Sequence, residues 1–546
     1  MKKSGLALLL LASACNAGLV AFQVVRRADP FAGPLFLGAV FGAALATTLG
    51  AGLMVWRARR QDDGSAEPAG LAWAFAPLLG SAPMWVYSRY GLVEHRQLLA
   101  EYLALAAIST GFLAWIARRP PGRAAAALIA ALSATALAGL AVWRIRSTML
   151  VSGDLAIQIH SLWSTWHRNG IFPNFLFRIS IFAEHLLLIL APLLPFYRIF
   201  HGPVGLTLFL VLALAVTGAL AAAPFRARPA LRFLALAAFL LHPGIAGQFL
   251  FCYHSEVLAL PFLVGAYLNY RREKARGFFF FCLAALTAVE YISFTVMAFS
   301  ILAFLDRRSW FWKAAPLLLG LGWGAAAYLL LEHPKVTVDE ARASLLSLSH
   351  LLSALGQRRE FLEQLLVPTL LVLPFLGRAW VLALPSLALS LFVVTSDRVG
   401  VYMHTAAPAA AFLALSAFEG ADRIEGWLPR IRPAGLALAL IAVVSASFDL
   451  AWMDGARIAP EIVQAVQERA VRGGVTCSRR LSYHFAERRV IRFYQQGERT
   501  PWVILDDGAG WEKSAYADYY KAIAADPSYR LEPVPGNALR LYHRLE

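Results

Sequence analysis

SGDLAIQIHSLWSTWHRNGIFPNFLFRISIFAEHLLLILAPLLP, residues 152–195, is a polar and aromatic segment set between two blocks of strongly apolar sequence. It carries Asp154, His160, His167, Glu184 and His185. On both sides of it, runs of about 20 apolar residues recur, the length that crosses a hydrocarbon core. Composition agrees, since the chain is 59% hydrophobic and only 15% charged, against roughly 25% charged in soluble proteins. The 546 residues therefore read as a polytopic α-helical membrane protein with about 13–15 membrane segments.

Working outward from the loop, spans are expected near 5–25, 33–56, 69–90, 97–117 and 124–144 before it. After it they fall near 203–223, 231–250, 254–270, 277–305, 312–331, 363–377, 379–395, 402–420 and 433–453. The net charge of +16 comes from short Lys and Arg clusters between apolar runs. That is the cytoplasmic-loop pattern of membrane proteins, and it argues against nucleic acid as a partner. Membrane lipids are the expected surroundings. Cys15, Cys252, Cys282 and Cys477 show neither metal spacing nor a paired framework. Ala12-Ser13-Ala14-Cys15 looks like a weak lipoprotein cleavage box, but the apolar run continues to Val25, so it reads as an uncleaved first helix.

Lys2-Lys3 places the N-terminus in the cytoplasm of a bacterium, and alternation then places the 152–195 loop outside the inner membrane. The later clusters Arg226/Arg228/Arg232, Arg271/Arg272/Lys274/Arg276, Arg307/Arg308/Lys313 and Arg423/Arg430/Arg432 all stay inside on two conditions. Residues 181–200 must dip into the outer leaflet without crossing. Residues 277–305 must enter and return as two short helices that break near Glu290. Arg26 and Arg27 are left on the outer side, against the trend. From about Ala456 the long apolar runs stop. Val490–Phe493 and Trp502–Leu505 read as short strands and Glu461–Arg472 as an amphipathic helix. The expected organisation is N-terminal transmembrane helices over 1–145, an outer loop with re-entrant or juxtamembrane helices over 146–202, a transmembrane core over 203–453, and a small extracytoplasmic α/β domain over 454–546.

Several polar residues carry chemical promise. Asp154 follows Gly153 just after the fifth span, where a carboxylate could serve as general base or hold a cation; alone it also reads as a helix N-cap. Glu184-His185 opens the apolar run 186–194 and could transfer a proton or contact phosphate, or simply be a solvated helix end. His254 and Glu256 lie at the outer end of one span and His404 at that of another. Glu290 stands alone between Ala288-Val289 and Tyr291-Ile292, and an isolated charge in lipid costs several kcal/mol, so it must be paired, protonated or cavity-lining. Arg168, Arg178 and Arg398 fall on the same outer side and could bind phosphate, or be solvated loop charges. That all of these fall on one side suggests one outward-facing polar cavity. No phosphate-cradling glycine loop, HExxH or nucleophile elbow is present. Asp506-Asp507-Gly508 reads as a turn.

Five patches resemble a bacterial family of predicted membrane proteins, the domain-of-unknown-function 2079 family, which groups with the GT-C glycosyltransferases. They are Gly153–Ile157, Ala183–Pro192, Tyr253–Glu256 with Leu258–Pro261, Val289-Glu290, and His404 with Pro408. The chain departs from the family at Ile159, where a second acidic residue is usual, and at Ser255, Val289 and Tyr291. The resemblance implies a GT-C-like helical bundle, an outward cavity and a lipid-linked sugar donor, a polyprenyl-phosphate sugar. It implies Asp154 as the catalytic base, with His160, Glu184, His185, His254, Glu256, Glu290 and His404 binding substrate. No metal ligand set is implied, and the missing second carboxylate leaves a divalent cation an open question. A transporter or lipid flippase and a non-catalytic membrane assembly protein are the alternatives. No inverted repeat of the kind transporters favour is visible.

Overall fold

The computed structural model describes residues 153–176, 179–251, 253–331, 355–393, 404–427, 460–470, 473–494, 500–507, 511–535 and 539–545, with isolated positions at 145, 434–441 and 458. The expected spans at 5–25, 33–56, 69–90, 97–117 and 124–144, and most of that at 433–453, lie outside these residues.

The described chain is mainly helical. Helix α1 is Gly153–Trp166. Helix α2, Gly202–Ala221, and helix α6, Trp310–Leu330, are each long and apolar enough to cross a membrane. Between them come α3 (Ala259–Arg271), α4 (Ala275–Leu286) and α5 (Ile292–Leu305). Helix α7 is Ala407–Trp427. Leu208, Leu212 and Val216 on α2, and Leu318, Leu321, Leu329 and Leu330 on α6, are exposed among the described residues. Such a surface suits lipid and would be a liability in water.

The stretch 277–305 is broken. Helix α4 ends at Leu286, residues 287–291 turn, and α5 begins at Ile292. Twelve and fourteen residues rise only about 18 and 21 Å, short of a hydrocarbon core of about 30 Å. The far ends of the two helices meet again. Phe278 packs edge-on to Phe299 at 5.1 Å, Tyr270 bonds Asp306 at 3.1 Å, and Arg308 pairs with Glu273. The chain thus runs along α4, turns at Glu290 and doubles back along α5. Freed backbone groups at such a turn must be satisfied by protein. Here Ile189 N–H donates to Thr287 O at 2.9 Å, and Leu186 N–H donates to the Glu290 carboxylate at 3.2 Å. The 181–200 stretch likewise forms only short helices, Ile181–Glu184 and Leu190–Ile199.

Two expectations need correction. Residues 363–377 do not form a span: the helix there is Leu355–Leu366, and Leu370 and Leu371 take positive φ (61° and 52°), which stops any continuation. The helix carries Arg358, Arg359, Glu360 and Glu363, so its surface is unsuited to lipid. The 231–250 span is two helices, Pro229–Leu241 and Pro243–Phe251, because Pro243 removes a backbone donor and His242 takes a non-helical conformation.

The C-terminal residues build a five-stranded mixed sheet. Its strands are β1 (Val475–Cys477), β2 (Ile491–Phe493), β3 (Trp502–Asp506), β4 (Tyr529–Glu532) and β5 (Leu539–Arg544), in the order β2-β1-β3-β5-β4. The first three are parallel and the last two pair antiparallel. Helix α8, Pro460–Arg469, precedes the sheet. The unit packs against α1, where His160 Nδ1 lies 3.1 Å from Ala486 O, and against the segments that flank it. Tyr483 bonds Ile145 O at 3.2 Å, Phe493 meets Phe175 at 5.2 Å, and Tyr197 donates to Glu487.

Candidate functional site

Helix α1 begins at Gly153, which puts Asp154 in its first turn, where the helix dipole favours a carboxylate. The Asp154 side chain is 57% exposed, yet one of its oxygens lies 3.1 Å from Nε2 of His254, which is 2% exposed. His254 sits in extended conformation just before a 3-10 turn, Ser255–Leu258, that leads into α3. Its ring stacks on His404 at 4.4 Å and 21°. His404 opens the turn before α7, and its Nε2 lies 3.8 Å from Glu256. Three separate elements thus converge on Asp154, His254, Glu256 and His404.

A second group adjoins the first. His185 follows the Ile181–Glu184 helix, and its Nδ1 lies 2.8 Å from Glu290 Oε1. Its Nε2 lies 3.9 Å from Glu184, which also accepts a bond from Asn174. Burial alone would depress the His185 imidazolium. The hydrogen bond and charge of Glu290, joined by Glu184 and Glu256, outweigh it and push His185 up to about 9. Burial raises the Glu184 carboxyl, His185 and Asn174 oppose it, and the charges of Asp154 and Glu290 add to the rise. Asp154 acting on Glu184, and Glu256 on His185, make the two groups one electrostatic site.

The site also holds buried polar atoms with no hydrogen-bond partner among the described residues: His404 Nδ1, Tyr253 Oη and Tyr291 Oη. Buried polar groups are normally paired, and leaving one unpaired costs about 1–3 kcal/mol. Polar ligand groups or water can supply what they lack. Four carboxyl groups and three imidazoles line the site, but no cluster of three or more ligating side chains suited to a metal ion occurs among the described residues.

Of the residues singled out from sequence, Asp154, Glu184, His185, His254, Glu256, Glu290 and His404 come together. His160 does not join them. It is buried against the C-terminal unit, with Nδ1 at 3.1 Å from Ala486 O, Nε2 at 3.3 Å from Ser164 and its ring edge-on to Phe175. Arg178 and Arg398 lie outside the described residues, and Arg168 is exposed with φ 59°. Sequence reasoning missed Asn174, Tyr253 and Tyr291 as polar members of the site. Tyr253 and Tyr291 flank His254 and Glu290, a signal available in the sequence; Asn174 offered none.

A mainly helical membrane protein with an acidic and imidazole-lined site is the class these features define. The chain belongs to the family described as "Predicted membrane protein (DUF2079)", which matches residues 144–519. No curated protein matches it. Among solved structures it is similar to the crystal structure of ArnT from Cupriavidus metallidurans bound to undecaprenyl phosphate, at 11% identity and a TM-score of 0.43. That alignment covers 76% of this chain and 97% of that chain.

Proposed function

We propose that the protein is a membrane glycosyltransferase that moves a sugar from a polyprenyl-phosphate donor to an acceptor at the outer face of the cytoplasmic membrane. The observation that carries this reading is the Asp154–His254 pair: an exposed carboxylate held by a buried imidazole at 3.1 Å, beside unpartnered buried hydroxyls. The carboxylate accepts the proton of an acceptor hydroxyl or amine. The acceptor oxygen or nitrogen bonds to the sugar C1, the C1–O bond to the donor phosphate breaks, and polyprenyl phosphate leaves. His254 keeps Asp154 oriented. Tyr253, Tyr291 and His404 supply hydrogen bonds for sugar hydroxyls, and the His185–Glu290 pair fixes the turn that carries Tyr291. An acidic site lined by imidazoles suits proton transfer better than passage of an anionic lipid.

The test is Asp154→Asn in a strain lacking the native gene, with envelope glycans and glycolipids compared by mass spectrometry. Loss of a general base lowers turnover by about 10²–10⁴-fold, so the missing species should stay at the deletion level while the variant protein accumulates normally. Full restoration by the variant would remove Asp154 as the base.

A further inference from the structure

Far from the Asp154 site, two loops carry more cations than the fold uses. Helix α3 turns into α4 through Arg271-Arg272-Glu273-Lys274, with Arg276 in the first turn of α4, and α5 turns into α6 through Asp306-Arg307-Arg308. The acidic groups here are already matched. Glu273 pairs with Arg308, Asp306 lies 3.7 Å from Arg378 and accepts from Tyr270 at 3.1 Å, and Glu419 pairs with Arg271 at 3.1 Å. Arg272, Lys274, Arg276 and Arg307 are exposed and have no acidic partner among the described residues. The Glu273–Arg308 contact joins the loops, with Arg272 and Lys274 on one side of it in sequence and Arg307 on the other. Both loops close their helix in the same way. Lys274 N–H donates to Asn269 O and Glu273 N–H to Tyr270 O, each at 3.0 Å; Arg308 N–H donates to Ala303 O at 2.9 Å and Arg307 N–H to Phe304 O at 3.1 Å. Such a closure sets one residue in the left-handed region, where glycine is favoured. Glu273 (φ 56°) and Arg307 (φ 52°) hold those positions. Glu273 ties the loops together. The Arg307 side chain makes no hydrogen bond or ion pair among the described residues, so the fold gives no reason for a side chain there.

We propose that the joined α3–α4 and α5–α6 loops bind the headgroup phosphate of an anionic phospholipid through Arg272, Lys274, Arg276 and Arg307. The occupant is a lipid rather than a soluble anion because exposed apolar rings adjoin the cations. Phe280, Phe304, Trp310 and Phe311 are all exposed. Phe280 stands one helical turn after Arg276 on α4, and Trp310 and Phe311 open α6 directly after the second loop. Phe311 meets Phe279 at 5.6 Å, which brings the starts of α4 and α6 together. Rings of this kind suit acyl chains and the membrane–water boundary, and basic side chains beside them suit a lipid phosphate. The site goes beyond the glycosyltransferase reading and does not depend on it.

The test adds phosphatidylglycerol or phosphatidylcholine to the purified full-length protein in detergent and reads retained lipid by native mass spectrometry. The wild type should prefer phosphatidylglycerol by about ten-fold or more. Arg307→Gly should lower that preference by about five-fold, the worth of one basic side chain near a lipid phosphate. Its melting temperature should stay level or rise, because glycine relieves the left-handed backbone. Lys274→Gln should lower the preference by a similar factor. Lys521→Gln, an exposed position on the C-terminal unit, should leave it unchanged. A wild type that does not distinguish the two lipids overturns the proposal, as does an Arg307→Gly protein that keeps the full preference. An equal loss in Lys521→Gln would show an effect of total charge rather than a site, and would overturn it too. Excess inorganic phosphate should not displace phosphatidylglycerol; displacement would mean a site for free phosphate and not for lipid.

Discussion

His185 shows how a single residue can link stability to pH. Its pKa lies near 9 in the folded protein, against an ordinary 6.5, because Glu290 and Glu184 hold the imidazolium despite burial. A group raised in this way contributes fully below pH 6.5 and loses that contribution as pH climbs through about 9. The gain is on the order of 3 kcal/mol. The melting temperature of the purified protein should therefore fall by several degrees more between pH 6.5 and 9.5 in the wild type than in His185→Gln. Parallel curves for the two proteins would show that the pair contributes nothing. The sequence disclosed the members of this pair but not their pairing. Glu184 and His185 are neighbours, yet the stronger partner, Glu290, is 105 residues away. His160 misled for the complementary reason. Its position one helical turn and a half beyond Asp154 looked like part of the same patch, but its partner is a carbonyl 326 residues later in the chain.

At the scale of elements, the break at Glu290 was legible because a lone carboxylate in an apolar run forces either a partner or a turn, and here it has both. The strands at 491–493 and 502–506 were legible from their β-branched and aromatic content. The 363–377 region was not, since the positive φ of Leu370 and Leu371 leaves no mark on composition. Helix pairing was equally hidden. Helices α5 and α6 pack along one another through Gly320, where a Cβ would stand 2.7 Å from Ser293 O and 2.4 Å from Met297 Cγ. Within a bilayer, apolar burial adds little between helices, and close approach through small residues decides the packing. Gly322 is two residues on, with nothing within 4 Å. Gly320→Ala should destabilise the protein by about 1–3 kcal/mol, whereas Gly322→Ala should be neutral or stabilising by up to about 1 kcal/mol. Thermal melts of both variants in the same detergent check this. Equal effects would mean that α5 and α6 do not meet at Gly320.

Among the described residues, charged groups of different kinds gather at the two ends of the helices. Asp154, His254 and His404 mark one end of α1, α3 and α7. At the other end of α3 and α7, Arg271 pairs with Glu419 at 3.1 Å and Arg228 with Asp422 and Glu425, close to the Arg308–Glu273 contact. Helix α7 has 21 residues and rises about 31 Å from Ala407 to Trp427, enough to cross a hydrocarbon core. Basic clusters favour the cytoplasm, and the proposed function accordingly takes the acidic site and the sheet that packs on α1 to face the outer side. Two exposed positions test this directly. Ser514 lies on the short helix Trp511–Ala515 of the C-terminal unit, and Arg272 lies at the basic end beyond α3. With Cys15, Cys252, Cys282 and Cys477 replaced by serine, Ser514→Cys in spheroplasts should react with a membrane-impermeant maleimide. Arg272→Cys should react only after permeabilisation. The reverse pattern would put the site in the cytoplasm and rule out a donor used at the outer face. Labelling of both from one side would show that the two ends of α7 are not divided by the membrane at all.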